Sequence, residues 1–260
     1  MNITMPFNYS GIAKHAWHID RPLLLAVLAL LSVGLLMVAS ASFSYAAHNF
    51  SDEFYFVKRH ALYLVIALGA MMVTFFTPPK LWSDYSRLWM LLAIVLLVIV
   101  LIPGIGRAVN GSRRWLSLGV MTLQVSELAK VAVVVFMANY FAQYKENFGD
   151  DWRDWAKPLG LLMVPLFLLL MEPDFGSIVV LTCTFMVMLF LAGTKLTHYL
   201  GLVFVGSAAL YGFAAAAPYR MARLATFLDP WSDQFNSGYQ LTQSLIAFGR
   251  GEWFGVGLGQ

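Results

Sequence analysis

Seven long apolar runs dominate this sequence and restrict the folds open to it. Five of them carry no charged residue over about the 20 residues that a bilayer-spanning helix needs. These are Pro22–Ser51, Ala61–Pro79, Leu88–Gly106, Phe175–Thr194 and Leu196–Tyr219. Two shorter runs, Val131–Tyr144 and Pro158–Met171, need flanking residues to complete a span. The pattern predicts an all-α polytopic membrane protein with about seven transmembrane helices.

Composition supports this class and excludes others. Charged residues make up 12% of the chain, about half the share of a soluble domain. The first run is too long for the apolar core of a secretory signal, which favours an uncleaved span. Cys183 is the only cysteine, so a disulfide within the chain is excluded. The net charge of +3 comes from scattered basic residues and does not suggest nucleic acid as a partner.

Alternation of seven spans divides the connecting segments between two membrane faces. One face would hold residues 1–21, 80–87, 145–157 and the turn at Lys195. The other would hold residues 48–60, 107–115, 172–174 and the segment from residue 218. Each face has eight basic residues, so charge bias does not orient the protein. Arginines on the second face would suit a phosphate or pyrophosphate ligand, and a reversed orientation is the open alternative. All residues are interpreted as one domain, 1–260.

A polar sequence interrupts the fourth apolar region. Glu127 and Lys130 are three residues apart, on one helical face, where they can pair. Gln124 and Ser126 add polarity to the same turn. Charges within a membrane usually face a polar cavity, which makes these four residues candidates for substrate binding. The alternative is an ordinary salt bridge at a helix end near the membrane surface.

Two further polar sequences come from loops on the second face. The sequence from Asn110 to Trp115 combines a turn signal with Arg114 and an aromatic residue, which would suit a phosphate or sugar headgroup. Taken alone, it is better explained by interfacial arginine and an aromatic belt. Glu172 and Asp174, between two apolar runs, could bind a divalent cation or act as an acid–base pair. A tight helix–helix turn with solvated acids is the alternative.

The last 43 residues, 218–260, differ from everything before them in being polar and glycine-rich. Asp229 is one acid of this segment, and Gln240 and Gln243 follow at helical spacing. The glutamines fall on one side of the predicted helix, and apolar residues such as Leu245 and Phe248 fall on the other. Such an amphipathic helix lies in the membrane interface rather than across the bilayer.

Together these segments resemble the SEDS family of bacterial cell-wall proteins, and they are closer to its FtsW branch than to RodA. The resemblance rests on ordered blocks across the chain. They are Asn110–Trp115, Gln124–Lys130, Glu172–Ser177, Phe227–Trp231, Gly238–Gly249 and Gly255–Gly259. Val125 departs from the pattern, which favours proline. The resemblance implies a ten-helix bundle, with residues 1–21 cytoplasmic, seven transmembrane helices over residues 22–217 and the first part of a large periplasmic loop over residues 218–260.

The resemblance also implies a reaction, partners and a location. The reaction is polymerisation of lipid II into β-1,4 glycan strands with release of undecaprenyl pyrophosphate, at the division septum of the cytoplasmic membrane. Arginines or a divalent cation, Mg²⁺ or Mn²⁺, would stabilise the leaving pyrophosphate. A class B penicillin-binding protein and other divisome membrane proteins are the expected partners. A lipid II flippase and a scaffold without catalysis are the alternatives. No residue here matches the catalytic aspartate of the family, which is expected beyond Gln260, so this chain alone is expected to be inactive.

Overall fold

The computed structural model describes residues 19–109, 112–117, 119, 121–143, 151–216, 221 and 225–257. The chain divides into two compact units, one of residues 1–78 and 218–260 and the other of residues 79–217. In chain order the elements are α1 (Arg21–Asn49), α2 (Tyr55–Phe76), α3 (Pro79–Asp84), α4 (Ser86–Leu101), β1 (Gly106–Val109), β2 (Ser112–Ser117), β3 (Thr122–Gln124), α5 (Val125–Gln143), α6 (Trp152–Met171), α7 (Phe175–Leu191), α8 (Leu196–Ala215), a 3₁₀ helix (Pro230–Asp233) and α9 (Tyr239–Gly251). The single domain predicted for residues 1–260 stays a prediction.

Helices α1, α2 and α4 to α8 coincide with the seven predicted spans, so the prediction of a helical, multi-pass membrane protein is confirmed. Helices α1, α2, α5 and α6 are long and apolar enough to cross a membrane, while α4, α7 and the part Leu196–Gly212 of α8 are shorter apolar segments. The helices extend beyond the charge-free runs where capping allows it. Asp151 caps α6 in a capping box with Asp154, which adds the turn from Trp152 to a run predicted from Pro158.

The first unit contains a pair of packed helices, α1 and α2. The Asp20 carboxylate caps α1 by accepting a hydrogen bond from the Leu23 backbone N–H at 3.0 Å, and Pro22 occupies the first turn, where a missing N–H costs nothing. The Phe50 and Tyr55 rings stack with centroids 4.3 Å apart where the chain passes from α1 to α2. Most side chains of both helices are exposed within the unit, as expected for surfaces that face lipid.

The second unit is a helical bundle with one apolar core. The contact between α4 and α5 is the most extensive, and α6, α7 and α8 pack in succession beside them. Fully buried side chains from four helices meet in this core, among them Leu97, Met137, Leu162 and Leu189. Such close packing fixes the positions of the helix ends, and the polar groups described below lie at one of these ends.

A small antiparallel sheet of order β1–β2–β3 connects α4 to α5. The sequence interpretation contained no strands, because three strands of three to six residues are too short to show a period of two. Pro103 follows the end of α4, and Gly106 begins β1. A Cβ atom on Gly106 would lie 1.9 Å from the Val100 carbonyl oxygen, so only glycine fits this approach of the strand to the helix. The sheet therefore lies where α4 ends and α5 begins.

The C-terminal part of the first unit has the predicted helix, α9, packed on the 3₁₀ helix. Thr242 of α9 is buried and donates a hydrogen bond to the Pro230 carbonyl oxygen at 3.1 Å. Gly238 precedes α9, and a Cβ atom there would lie 2.5 Å from the same carbonyl oxygen. Leu245 and Phe248 are exposed within the unit. These two side chains form an apolar side of α9, in agreement with the predicted amphipathic helix. Contact of this side with a membrane interface stays a prediction.

Candidate functional site

The predicted residues Arg114, Glu172 and Asp174 come together where strand β2 meets the turn between α6 and α7. The Arg114 guanidinium donates through Nε to the Glu172 carbonyl oxygen at 3.3 Å and through Nη2 to the Pro173 carbonyl oxygen. Its Nη1 lies 3.7 Å from Asp174 Oδ1. The Ser112 hydroxyl donates to the same Glu172 carbonyl at 2.5 Å and accepts from Arg114 Nε at 2.9 Å. Loops 107–115 and 172–174 therefore lie at the same end of the bundle, as the alternation of spans predicted.

These contacts use two of the N–H donors of Arg114, one on Nε and one on Nη2, and a third nitrogen faces the Asp174 carboxylate. A guanidinium has five N–H donors in a fixed planar fork. Here the fork spans two backbone carbonyls, a hydroxyl and a carboxylate, and the side chain is 30% exposed. The geometry makes Arg114 a clamp that holds the sheet against the turn. Its predicted role in substrate binding is not tested by these contacts, although a ligand would have to compete with them.

Glu172 is the most unusual group in this cluster. The residue is 0% exposed, and both carboxylate oxygens lack a hydrogen-bond partner among the described residues. The residue lies in the turn 172–174, outside the helices on either side. Burial, followed by the nearby Asp174 carboxylate, raises the pKa of Glu172 to about 8, and Arg114 opposes the rise. Glu172 is therefore protonated at neutral pH and cannot act as a solvated acid.

Asp174 has a structural task at the start of α7. Its carboxylate accepts hydrogen bonds from the Ser177 backbone N–H at 3.3 Å and from the Ser177 hydroxyl at 2.8 Å. It is the N-cap of α7, a position where such a bond typically stabilises a helix by about 1 kcal/mol. The residue is buried, so one carboxylate caps a helix and faces Arg114 at once.

The second predicted group lies at the start of α5. Lys130 Nζ donates to Glu127 Oε1 at 2.8 Å, which confirms the predicted pair. Glu127 is in the first turn of α5, where a negative charge interacts favourably with the helix dipole. Its side chain is 59% exposed and that of Lys130 is 23% exposed. Gln124, at the end of β3, donates to the hydroxyl of buried Ser126 at 3.1 Å.

The remaining predicted residues are distributed over the sheet and the C-terminal segment. Trp115 is half-buried in β2, and Asn110 lies outside the described residues. Asp229, Gln240 and Gln243 are exposed and belong to the unit that contains α9.

The C-terminal segment contains an acid that the sequence interpretation did not select. Asp233 accepts hydrogen bonds from Ser237 Oγ at 2.7 Å, from Asn236 Nδ2 at 2.9 Å and from the Ser237 N–H at 3.1 Å. Hydrogen bonds from Ser237 and then Asn236 hold the pKa of Asp233 below its usual value. The group organises the turn that leads into α9.

The described residues do not by themselves suit the expected divalent cation. No group of three or more His, Cys, Asp or Glu side chains among them could hold a metal ion. Glu172 and Asp174 would supply two carboxylates, but a guanidinium already faces Asp174. A magnesium ion requires six oxygen ligands in a nearly octahedral arrangement. A cation site in this cluster is therefore not supported by its geometry.

The sequence interpretation missed two residues of the site, Ser112 and Ser177. Ser112 is predicted only as part of a turn, yet it is buried and contacts a carbonyl 60 residues away. Ser177 had a usable signal, since Asp174 and Ser177 have the spacing of an N-cap. Arg113, the neighbour of Arg114 on β2, is exposed.

Comparison with known proteins agrees with this architecture. The family of cell cycle proteins that includes FtsW, RodA and SpoVE matches residues 21–260. A probable peptidoglycan glycosyltransferase FtsW of Legionella pneumophila is 50% identical over 93% of this chain and 61% of its own length. The corresponding protein of Saccharophagus degradans is 48% identical over 100% of this chain and 66% of its own length. The chain thus spans roughly three fifths to two thirds of these relatives.

Solved structures show the same fold. A chain of a peptidoglycan synthase complex that coordinates polymerization and crosslinking aligns with a TM-score of 0.66 and 25% identity, over 85% of this chain and 64% of that chain. The rod shape determining protein RodA of Thermus thermophilus aligns with a TM-score of 0.53 and 23% identity, over 89% of this chain and 86% of that one. This chain therefore belongs to the FtsW, RodA and SpoVE family of cell cycle proteins.

Proposed function

We propose that the full-length protein is a peptidoglycan glycosyltransferase that polymerises lipid II into β-1,4 glycan strands and releases undecaprenyl pyrophosphate. The observation that carries this proposal is 50% identity, over 93% of the chain, to a protein named as a probable peptidoglycan glycosyltransferase FtsW. The alignment with the Saccharophagus degradans protein covers the whole chain, so it extends over the polar blocks as well as the apolar helices. A shared membrane fold alone would not require the polar blocks to match.

The contacts of the cluster limit which steps its residues can perform. Attack of a sugar hydroxyl on an anomeric carbon needs a base for the proton and positive charge for the departing pyrophosphate. Glu172 is fully buried and protonated at neutral pH, and Asp174 is committed to Ser177 and Arg114. We therefore assign neither residue as the base. Their role in this proposal is to fix the sheet and the turn at the membrane end where the headgroup would bind.

We infer further that the protein works at the division septum beside a class B penicillin-binding protein. The support is similarity to FtsW relatives and to a chain of a peptidoglycan synthase complex. In this arrangement lipid II is the substrate and the penicillin-binding protein crosslinks the glycan product. Co-purification of the full-length protein with membrane proteins from dividing cells is the measurement that tests this partner.

The proposed activity is tested by purifying the full-length protein in detergent and adding labelled lipid II. Glycan chains resolved by gel electrophoresis are the expected product. Because detergent micelles offer no membrane to cross, synthesis there would exclude a protein that only flips lipid II. The proposal is contradicted if the purified protein makes no glycan in detergent but moves lipid II across the membrane of reconstituted vesicles.

Variants of the Glu127–Lys130 pair separate catalysis from scaffolding. An exposed ion pair contributes about 0–1 kcal/mol to stability, so Glu127→Gln should leave the fold intact. We expect this variant to lose glycan synthesis while it still binds the penicillin-binding protein. The matched control is Glu53→Gln, which removes another exposed acid from the connection between α1 and α2. Equal glycan synthesis by both variants and the wild type would remove Glu127 from the candidate substrate site.

A further inference from the structure

Helices α6, α7 and α8 form an apolar groove on the surface of the second unit. Helices α6 and α8 both pack on α7 but make no extensive contact with each other along their described residues. Helix α7 is therefore the floor of the groove, and the other two helices are its walls. The groove has a volume of about 390 Å³, and Thr182 is the one polar side chain among the residues that line it.

The groove is open toward lipid and closed toward the core. Gly206 of α8 lines it, and a Cβ atom on this glycine would meet nothing within 4 Å. Deep in the groove, Leu162 and Phe185 are 0% and 2% exposed, whereas Phe167 and Val205 at the rim are exposed. In a multi-pass membrane protein, a groove of this kind is filled by something that the bilayer supplies, because well-packed proteins leave few voids.

The length of the groove suits a single hydrocarbon chain rather than a transmembrane helix. Helix α6 lines it from Leu159 to Leu170, which is about 16 Å at the helical rise per residue. This is about half of the hydrocarbon thickness, which a transmembrane helix must cross completely. The Trp155 and His198 rings, with centroids 6.1 Å apart, join α6 to α8 beyond the Leu159 end and close the groove there.

Beyond this closed end, the groove sides of α6 and α8 carry positive charge. Residues seven apart lie on the same side of a helix, so Trp152 continues the side of Leu159, and Lys195, immediately before α8, continues the side of Leu202. The Arg153 guanidinium lies over the Trp152 ring, with Cζ 5.8 Å from the centroid. Arg153 is exposed and makes no ion pair with any residue that the structure describes.

The two acids of the same helical turn are held at the start of α6. The Asp151 carboxylate accepts a hydrogen bond from the Arg153 backbone N–H at 3.2 Å, and the Asp154 carboxylate accepts one from the Asp151 backbone N–H at 3.3 Å. These bonds form the capping box and do not engage the Arg153 guanidinium. The charge beside the groove is therefore complementary to an anionic headgroup.

We propose that the groove binds an anionic phospholipid, with one acyl chain along α7 and the phosphate beside Arg153 and Lys195. An acyl chain gains little by leaving bulk lipid for an apolar groove, since lipid is as apolar as leucine. The phosphate contacts therefore decide which lipid is retained, and guanidinium and ammonium groups favour an anion. Trp152 and Trp155 lie at the level of the glycerol, where tryptophan is common. The site is at the end of α6 opposite the sheet, and none of the proposed glycosyltransferase chemistry is needed for it.

The test places the full-length protein in nanodiscs of phosphatidylcholine that contain a small share of phosphatidylglycerol with a photoreactive acyl chain. After illumination, peptide mass spectrometry identifies the labelled residues. We expect labelling of Thr182 and Met186, which line the groove and are half-buried, unlike the residues that face bulk lipid. Excess unlabelled phosphatidylglycerol should suppress this labelling, whereas phosphatidylethanolamine, which has no net charge, should not.

A filled groove should exclude the acyl chain. Gly206→Leu places a side chain in the groove and should reduce labelling of Thr182 and Met186 to the background. The matched control is Gly201→Leu on the same helix, where a Cβ atom also meets nothing within 4 Å but the residue lies outside the groove. Equal labelling of the two variants would overturn the proposal.

Removing the cations should weaken binding without filling the groove. Arg153→Gln with Lys195→Gln should lower the affinity for phosphatidylglycerol about 30-fold, because each basic residue near an anionic lipid contributes about a factor of five. Arg87→Gln with Lys80→Gln removes two other exposed cations of the same unit and is the control. An affinity that both double variants share with the wild type would overturn the anionic headgroup, and so would equal competition by phosphatidylethanolamine.

Two other occupants give different results. Suppression of the labelling by lipid II but not by phosphatidylglycerol would assign the groove to the polyprenyl chain of the proposed substrate. Loss of a co-purifying membrane protein in Gly206→Leu, with unchanged lipid labelling, would assign it to a partner helix. Either result would overturn the proposal. Glycan synthesis is not part of the readout, so this site can fail while the proposed function stands. The thermal unfolding midpoint of each variant checks that it is folded.

Discussion

Replacing Glu172 with glutamine should stabilise the protein, and the gain should depend on pH in a defined way. Glutamine has nearly the shape of the protonated acid but cannot ionise. In the unfolded chain the glutamate ionises near its ordinary pKa of 4.5, whereas in the folded protein its pKa is raised to about 8. The folded state therefore keeps a proton that the unfolded state releases. Between these two pH values the wild type loses stability as pH rises, and the glutamine variant does not.

The size of the effect follows from the pKa difference. Each pH unit between the two pKa values corresponds to about 1.4 kcal/mol. The glutamine variant should therefore match the wild type at pH 4.5 and exceed it by about 3 kcal/mol at pH 7. Above pH 8 the folded protein ionises as well, and the difference should level off at about 5 kcal/mol. The group is 0% exposed, so screening by solvent has little effect on this difference.

The assay is the free energy of unfolding of both proteins in one detergent, measured from pH 4.5 to pH 9. Subtracting the two curves cancels every other titrating group. Glu53→Gln is the control, because it makes the same substitution at an exposed carboxylate. A difference for Glu172→Gln that stays flat, or that favours the wild type as pH rises, would refute the reasoning. It would mean that the carboxylate finds a partner or solvent in the folded protein.

Three further predictions concern the clamp, the C-terminal segment and the core. Arg114→Lys keeps the charge but cannot span two carbonyls, so we expect a loss of about 1.5–3 kcal/mol in unfolding free energy, whereas Arg113→Lys should change it by less than about 0.5 kcal/mol. Gly238→Ala would place a methyl group 2.5 Å from a carbonyl oxygen and should speed hydrogen exchange in α9, while Gly249→Ala, with open space around it, should slow that exchange. Leu97→Ala should cost about 2–5 kcal/mol by thermal or denaturant unfolding, because the side chain is fully buried.

The helices were predictable because their signal is local and repeated. A run of apolar residues long enough to cross a bilayer leaves few alternatives to a helix, since lipid offers no partners for free backbone groups. The Glu127–Lys130 pair was predictable for the same reason, because a spacing of three residues places both side chains on one face of α5. In both cases the information lies within a few turns of chain.

The sheet and the burial of Glu172 were not predictable in this way. The contact between Ser112 and Glu172 joins residues 60 positions apart, and no local pattern of charge encodes it. Glu172 was interpreted as one of two solvated or metal-binding acids because two carboxylates lie two residues apart between apolar runs. In the folded protein Asp174 faces Arg114 and Ser177, whereas the Glu172 carboxylate is buried without a hydrogen-bond partner among the described residues. Tertiary packing, rather than sequence neighbourhood, decides the ionisation of this group.

A bulge in strand β2 gives Arg113 and Arg114 different roles. Arg113 pairs with Ala108 and Trp115 pairs with Arg107, so Arg114 between them has no pairing partner on β1. A bulge of this kind redirects a side chain, and here the redirected guanidinium reaches the carbonyl oxygens of the turn. The Ser112 hydroxyl contacts the same turn, and Leu116 packs against the apolar core. Arg113→Lys should therefore leave the sheet in place, whereas Arg114→Lys should loosen it and speed hydrogen exchange of the β2 backbone amides. Equal exchange rates in both variants would show that the sheet needs no support from the turn.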